Sequence, residues 1–191
     1  MGRIGQKIAK IAKSLGMIIH YHNRSKLSSS KENGAIYHKD IKSLFSISDV
    51  LSISCPATKE TEDLINKETL EYFPKGAIIT NIARGDIVDD EALIDALNRR
   101  KIYAVGLDVY KGEPNLNPGY LNHKSAFILP HLGSSTKETR TAMANLAIDN
   151  LVEFFDKRTS KNKVNWNNIL LIVEYHYFLL RLHKFFMIKY C

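Results

Sequence analysis

Apolar runs of three or four residues, set apart by helix-length segments and each followed by a charged residue, constrain this chain more than any other feature. Ala77-Ile78-Ile79, Ala104-Val105-Gly106-Leu107 and Ala126-Phe127-Ile128-Leu129 read as buried strands, and helical patterns alternate with them. That alternation is the signature of an α/β fold with a parallel sheet. In such a sheet the carboxyl ends of the strands lie on one edge, where ligands bind. Arg84, Glu113 and His131 each follow one of the runs, so the sequence predicts a cation, a carboxylate and an imidazole on one edge of a doubly wound parallel sheet.

The rest of the chain fits that frame. Ile4, Ile8, Ile11, Ala12 and Leu15 form a helical stripe that ends at Gly16, a C-cap residue. Residues 17–21 and 35–37 read as strands around a polar loop, and the strand over 50–54 stops at Cys55-Pro56 because a residue before proline prefers an extended form. Asp89 or Asp90 caps a helix that turns Ala92, Leu93, Ala96 and Leu97 inward, with Arg99 and Arg100 favourably placed at its C-terminal end. Ser135-Thr136-Lys137-Glu138 reads as a capping box opening a long helix, with Met143, Leu146, Ala147, Leu151, Phe154 and Phe155 on one face.

Composition excludes several functions. Hydrophobic residues at 45% and charged residues at 25% describe a globular protein, and 191 residues hold one domain with a good core, or one domain plus an appendage. The net charge of +7 comes with lysines dispersed over helix surfaces, as at Lys7, Lys10 and Lys13, so no nucleic-acid partner is expected. Cys55 and Cys191 make neither a metal spacing nor a disulfide framework, and no signal-peptide pattern opens the chain; a cytoplasmic protein without a metal is expected. Domain reading places a nucleotide-binding domain at 1–165 and an apolar tail at 166–191. The tail is interrupted by Glu174, Arg181 and Lys184, so no membrane span is expected, and it reads as a membrane-surface helix or as non-native sequence.

Gly2-Arg3-Ile4-Gly5, opening the first helix, matches the back half of the glycine-rich dinucleotide fingerprint, without its first glycine and preceding strand. Glycines there let the backbone approach a pyrophosphate seated on free helix amides. At the end of the second strand of such a Rossmann-like fold, an acid meets a ribose 2′-hydroxyl and a base meets a 2′-phosphate. Asn23-Arg24-Ser25 offers an arginine and two hydrogen-bonding groups with no carboxylate, which favours NADP over NAD.

Three blocks carry a family resemblance. Phe73-Pro74-Lys75-Gly76-Ala77-Ile78-Ile79-Thr80-Asn81-Ile82-Ala83-Arg84-Gly85 resembles the signature of the D-isomer-specific 2-hydroxyacid dehydrogenases. Gly106-Leu107-Asp108-Val109-Tyr110 with Glu113-Pro114, and Pro130-His131-Leu132-Gly133-Ser134, resemble that family's next two blocks; Cys55-Pro56-Ala57-Thr58 with Glu60-Thr61 is similar to its cofactor-side loop. His22-Asn23-Arg24 points to the glyoxylate/hydroxypyruvate reductase branch.

The resemblance implies reduction of a small 2-oxo acid to the D-2-hydroxy acid by hydride transfer from NADPH or NADH. It makes His131 the general acid, an imidazole suiting the role because its ordinary pKa of about 6.5 lies near working pH. Glu113 becomes the carboxylate that orients it, and Arg84 the planar clamp on the acid. Asp108 is implied to accept from the nicotinamide carboxamide, and Cys55, Pro56, Thr61, Ile82, Ala83 and Gly133 to line the cofactor. It also implies a homodimer.

Family members carry a separate substrate domain and a first, central strand of the nucleotide sheet. Neither is in this sequence, so the chain reads as a fragment. Two other readings follow from the same residues: a non-catalytic nucleotide-binding regulator resembling dehydrogenase-like corepressors, and an inactive remnant whose unpaired strands aggregate.

Overall fold

The structure, a computed structural model, describes residues 1–121 and 123–162. The tail expected over 166–191 and the expected domain end at 165 lie outside the described residues. Two compact units divide the chain, Met1–Ser134 and Ser135–Cys191.

The first unit runs α1 (Arg3–Ser14), β1 (His20–Tyr21), α2 (Ser29–Glu32), β2 (Ile36–Tyr37), α3 (Ile41–Phe45), β3 (Val50–Ile53), α4 (Lys67–Leu70), β4 (Ala77–Asn81), α5 (Asp90–Asn98), β5 (Ile102–Leu107), α6 (Pro118–Leu121) and β6 (Ala126–Ile128). Every strand pair is parallel. The architecture is the Rossmann-like α/β fold read from the alternation of runs and helices. Its strands form two sheets, β1-β2 and β3-β4-β5-β6, with no ladder joining them among the described residues. At the ends of those orders, β1 pairs only with β2 and β3 only with β4 among the described residues.

One face of the larger sheet is the core. Ile65, Ile79, Leu93, Ala96 and Ile102 are fully buried there, packed with Phe45, Leu70, Phe73 and Val105. Phe45 of α3 stacks on Phe73 after α4, ring centroids 4.6 Å apart. The other face carries exposed apolar residues, Val50, Tyr103 and Phe127.

Strand ends differ from the sequence reading. The strand expected over 17–21 shortens to His20–Tyr21, because it is paired on one side and Met17 and Ile18 stand exposed. The α1 stripe of Ile4, Ile11 and Leu15 is exposed too; with the sheet divided, it has no continuous surface to cover. Asp89, not Asp90, caps α5, its Oδ1 accepting the Ala92 N–H at 3.1 Å. At the other end Arg99 donates to Asp95 and to Glu71, each at 2.8 Å. His20 and His38, which fall in none of the motif blocks, hydrogen-bond each other at 2.9 Å.

In the second unit α7 (Lys137–Lys157) starts one residue later than the expected capping box. Thr136 is the N-cap and accepts the Thr139 N–H at 3.2 Å, while the Ser135 hydroxyl is taken by Arg140. Met143, Leu146 and Leu151 on the expected apolar face are exposed, and Phe154 is buried.

Candidate active site

The carboxyl ends of β4, β5 and β6 place the predicted trio. β4 ends in Asn81, whose side chain is buried at 1% exposure. Its Oδ1 accepts the Ala83 N–H at 2.9 Å and its Nδ2 donates to the Arg84 carbonyl at 2.8 Å, so one carboxamide sets the turn that presents Arg84. The guanidinium is exposed and donates from Nη1 to the Ala83 carbonyl at 2.6 Å. Gly85 follows because nothing larger fits: a Cβ there would lie 2.1 Å from the Tyr110 carbonyl carbon and oxygen. The Arg84 turn is thus pressed against the turn after β5.

That second turn holds the acid. The Tyr110 N–H donates to Glu113 Oε1 at 3.1 Å, which aims Oε2 at His131 Nδ1, 2.8 Å away. A carboxylate only accepts, so the hydrogen lies on Nδ1 and the Nε2 edge is left for another partner. His131 itself has φ of +56°, a left-handed conformation that costs a non-glycine residue energy and is kept where the surroundings enforce it.

Asp108 supplies that enforcement. Its carbonyl accepts the His131 N–H at 3.0 Å, and its Oδ1 and Oδ2 accept the Leu132 and Gly133 N–H groups at 2.6 and 2.8 Å. The carboxylate read as a partner for a carboxamide is occupied by backbone amides, although each oxygen retains a further lone pair. Gly133 is small for a related reason, since a Cβ there would lie 3.0 Å from Asp108 Oδ2.

Beside this edge a cleft of about 620 Å³ brings together six residues expected on the cofactor side, Ile4, Cys55, Pro56, Ile82, Ala83 and Arg84. It adds Ala57, from the same loop block as Cys55 and Pro56, and Ser54 and Asp86, which carry no motif signal of their own. Burial pushes the Cys55 thiol above its ordinary pKa, so it lines the cleft as a neutral group. Thr61 lies away from the cleft lining. Its hydroxyl donates to the Pro56 carbonyl and accepts the Thr58 N–H, each at 2.8 Å, and so folds the loop behind Pro56.

The start of α1 adjoins the cleft through Ile4. Gly2 is its N-cap, no side chain caps the first turn, and the acidic residues that often sit there are absent. A Cβ on Gly2 would meet nothing within 4 Å, whereas one on Gly5 would lie 3.0 Å from Ser54 Oγ. Gly5 therefore seats the helix on the end of β3, and Gly2 keeps the approach to the helix amides open. With Arg3 in that turn and an apolar cleft beside it, these residues fit a nucleotide pyrophosphate with a flat ring beyond.

Asn23, Arg24 and Ser25 follow β1 as expected and lie outside the cleft lining. The Asn23 carbonyl accepts from the Tyr37 hydroxyl at 3.2 Å. His131, Glu113, Asp108 and Gly133 likewise belong to the edge rather than to the cleft wall. Among the described residues no group of three or more His, Cys, Asp or Glu side chains could hold a metal, and no helix is long and apolar enough to cross a membrane.

Comparison with known proteins adds a family. Residues 1–133 match the model of the D-isomer specific 2-hydroxyacid dehydrogenase NAD-binding domain. A glyoxylate reductase of Aeropyrum pernix is 45% identical over 168 residues, 86% of this chain and 50% of that protein. A glycerate dehydrogenase of Hyphomicrobium methylovorum is 41% identical over 150 residues, 78% of this chain and 47% of that protein. Among solved structures, an NADPH-dependent glyoxylate/hydroxypyruvate reductase from Sinorhizobium meliloti, in complex with NADP and malonate, superposes with a TM-score of 0.80. It is 32% identical and covers 85% of this chain and 50% of that one. This chain spans about half the length of the relatives it matches.

Proposed function

The chain belongs to the D-isomer-specific 2-hydroxyacid dehydrogenases, and we propose that it is the nucleotide-binding half of an NADPH-dependent reductase of glyoxylate or hydroxypyruvate. The observation that carries this reading is the His131–Glu113 pair, held at 2.8 Å on a left-handed backbone next to the Arg84 turn. Arg84 meets the carboxylate of a 2-oxo acid with its planar fork. His131, oriented through Nδ1, hands a proton from Nε2 to the carbonyl oxygen, and Glu113 stabilises the imidazolium that does so. A reduced nicotinamide, when bound, supplies the hydride.

Gly2, Arg3, Ile4 and Gly5 would hold the pyrophosphate, and Cys55, Pro56, Ile82 and Ala83 the apolar walls of the nicotinamide side. Arg24, with Asn23 and Ser25, would take the 2′-phosphate. The arginine in place of an acid supports NADP, as does the name of the NADP-bound relative. The same reading makes the working protein a cytoplasmic homodimer and the nucleotide domain extend to 165.

A full-length version that joins this half to a substrate domain tests it by NADPH binding and by NADPH oxidation with glyoxylate and with hydroxypyruvate. Turnover that His131→Gln abolishes while leaving NADPH binding intact is the expected result. An unaffected variant would overturn the role of His131, and NADPH binding without turnover would favour the regulatory reading.

A further inference from the structure

Two tyrosine hydroxyls pin the loop that carries Arg24. Tyr21 of β1 and Tyr37 of β2 are register partners, with ring centroids 5.3 Å apart. The Tyr37 hydroxyl donates to the Asn23 carbonyl at 3.2 Å. The Tyr21 hydroxyl accepts the Leu27 N–H at 2.9 Å and donates to Glu32 Oε1 at 2.6 Å. One tether therefore closes each end of a five-residue stretch, and Arg24, Ser25 and Lys26 stand between them.

Tyr21 is 3% exposed, and a phenylalanine ring would fill the same space. The hydroxyl adds nothing to the apolar packing; it acts on the loop backbone. Glu32 locks the Tyr21 hydroxyl as a donor to its carboxylate, which leaves an oxygen lone pair for the Leu27 N–H. The Glu32 carboxylate, 12% exposed, also lies 3.9 Å from the Lys26 ammonium, so the same group steadies the third member of the cationic stretch. A loop whose ends are fixed presents its donors without losing conformational freedom on binding, and affinity rises as that cost falls.

We propose that Tyr21 and Tyr37 are positioning residues that shape 23–27 into a ready-made receptor for a ribose 2′-phosphate. They act through Arg24 and Ser25 rather than by touching the nucleotide. The inference rests on the NADP reading above, and the experiment separates the two.

The 191-residue chain is titrated calorimetrically with adenosine 2′,5′-bisphosphate and with AMP, which differ by the 2′-phosphate. Arg24→Ala is expected to remove the preference for the bisphosphate. Tyr21→Phe and Tyr37→Phe should each weaken the bisphosphate by roughly fivefold to tenfold, the worth of one ordinary hydrogen bond, and leave AMP unchanged. On the Arg24→Ala background neither tyrosine change should alter either affinity.

Tyrosine variants that bind both ligands as the wild type does, while Arg24→Ala loses its preference, would overturn the tethers and keep the cofactor assignment. A parallel loss of both ligands would show the hydroxyls to serve the fold alone, which also overturns it. Preference surviving Arg24→Ala, or no binding of either ligand by the wild type, would overturn the 2′-phosphate reading together with the tethers. Tyr37 is only partly buried, so its variant remains informative should Tyr21→Phe fail to fold.

Discussion

Replacing Gly85 by alanine tests how the Arg84 turn is placed. The added Cβ would lie 2.1 Å from the Tyr110 carbonyl atoms and 2.4 Å from the Lys111 nitrogen, all of them backbone that no rotamer change can move aside. Reaching an ordinary contact near 3.4 Å requires one turn to retreat from the other by about 1.3 Å. Overpacking of this kind costs about 1–3 kcal/mol. For a chain of this size that lowers Tm by roughly 2–12 °C.

The displacement also moves Arg84 away from the turn that carries Glu113 and, through it, His131. A misplacement of about 1 Å at a reacting centre costs on the order of 100-fold in rate. Thermal melts of wild type, Gly85→Ala and Gly106→Ala measure the first effect, and kcat with glyoxylate of the same variants in a full-length version the second. Gly106 is the control, because its Cβ would meet Thr80 Cγ2 at an ordinary 3.5 Å. A Gly85→Ala protein that melts with the wild type would refute the account of the close approach; one that melts lower yet turns over normally would refute its link to Arg84.

Asn81→Ala, which strands the Ala83 N–H beneath the Arg84 turn, should cost about 1–3 kcal/mol in urea denaturation and raise KM for the oxo acid more than KM for NADPH. Asp108→Asn puts an amide donor against the Leu132 or Gly133 N–H; hydrogen exchange at 131–133 should speed up, with a loss of stability of about 1–3 kcal/mol. Asp90 is buried at the start of α5, and burial raises its pKa despite the Tyr120 hydroxyl at 3.0 Å. Because the folded state then holds the proton more tightly, stability is greatest below the unfolded value of about 3.9 and falls as pH rises to the folded value, staying level above it. Asp90→Asn should abolish that fall and melt higher than wild type at pH 7, as denaturant midpoints at pH 4 and 7 will show.

The edge residues were readable because chemistry and position coincide in them. Arg84, Glu113 and His131 follow apolar runs long enough to betray β4, β5 and β6, and α5 repeats its buried positions over more than two turns. Asn81 was not readable as a functional residue: inside an apolar run it looks like any strand terminus, and only the turn around its carboxamide reveals its use. Asp108 was seen, but its grip on two amides depends on how the chain bends after Pro130. Helices α2, α3, α4 and α6 have four or five residues and thus no period to detect. The α7 cap slipped by one because Ser135 and Thr136 are chemically equivalent there, and the choice rests on which hydroxyl Arg140 occupies.

The hydrogen bond from the Asp108 N–H to the Asn81 carbonyl, 3.0 Å long, joins the residue that bends the Arg84 turn to the residue that anchors the His131 loop. Both sit at the tips of adjacent strands, and neighbouring strands keep a spacing of about 4.8 Å whatever their side chains. The distance between the Arg84 turn and the His131 loop is thus set by the pitch of the peptide backbone. Loops around it can lengthen or change composition while Arg84 and His131 stay in step.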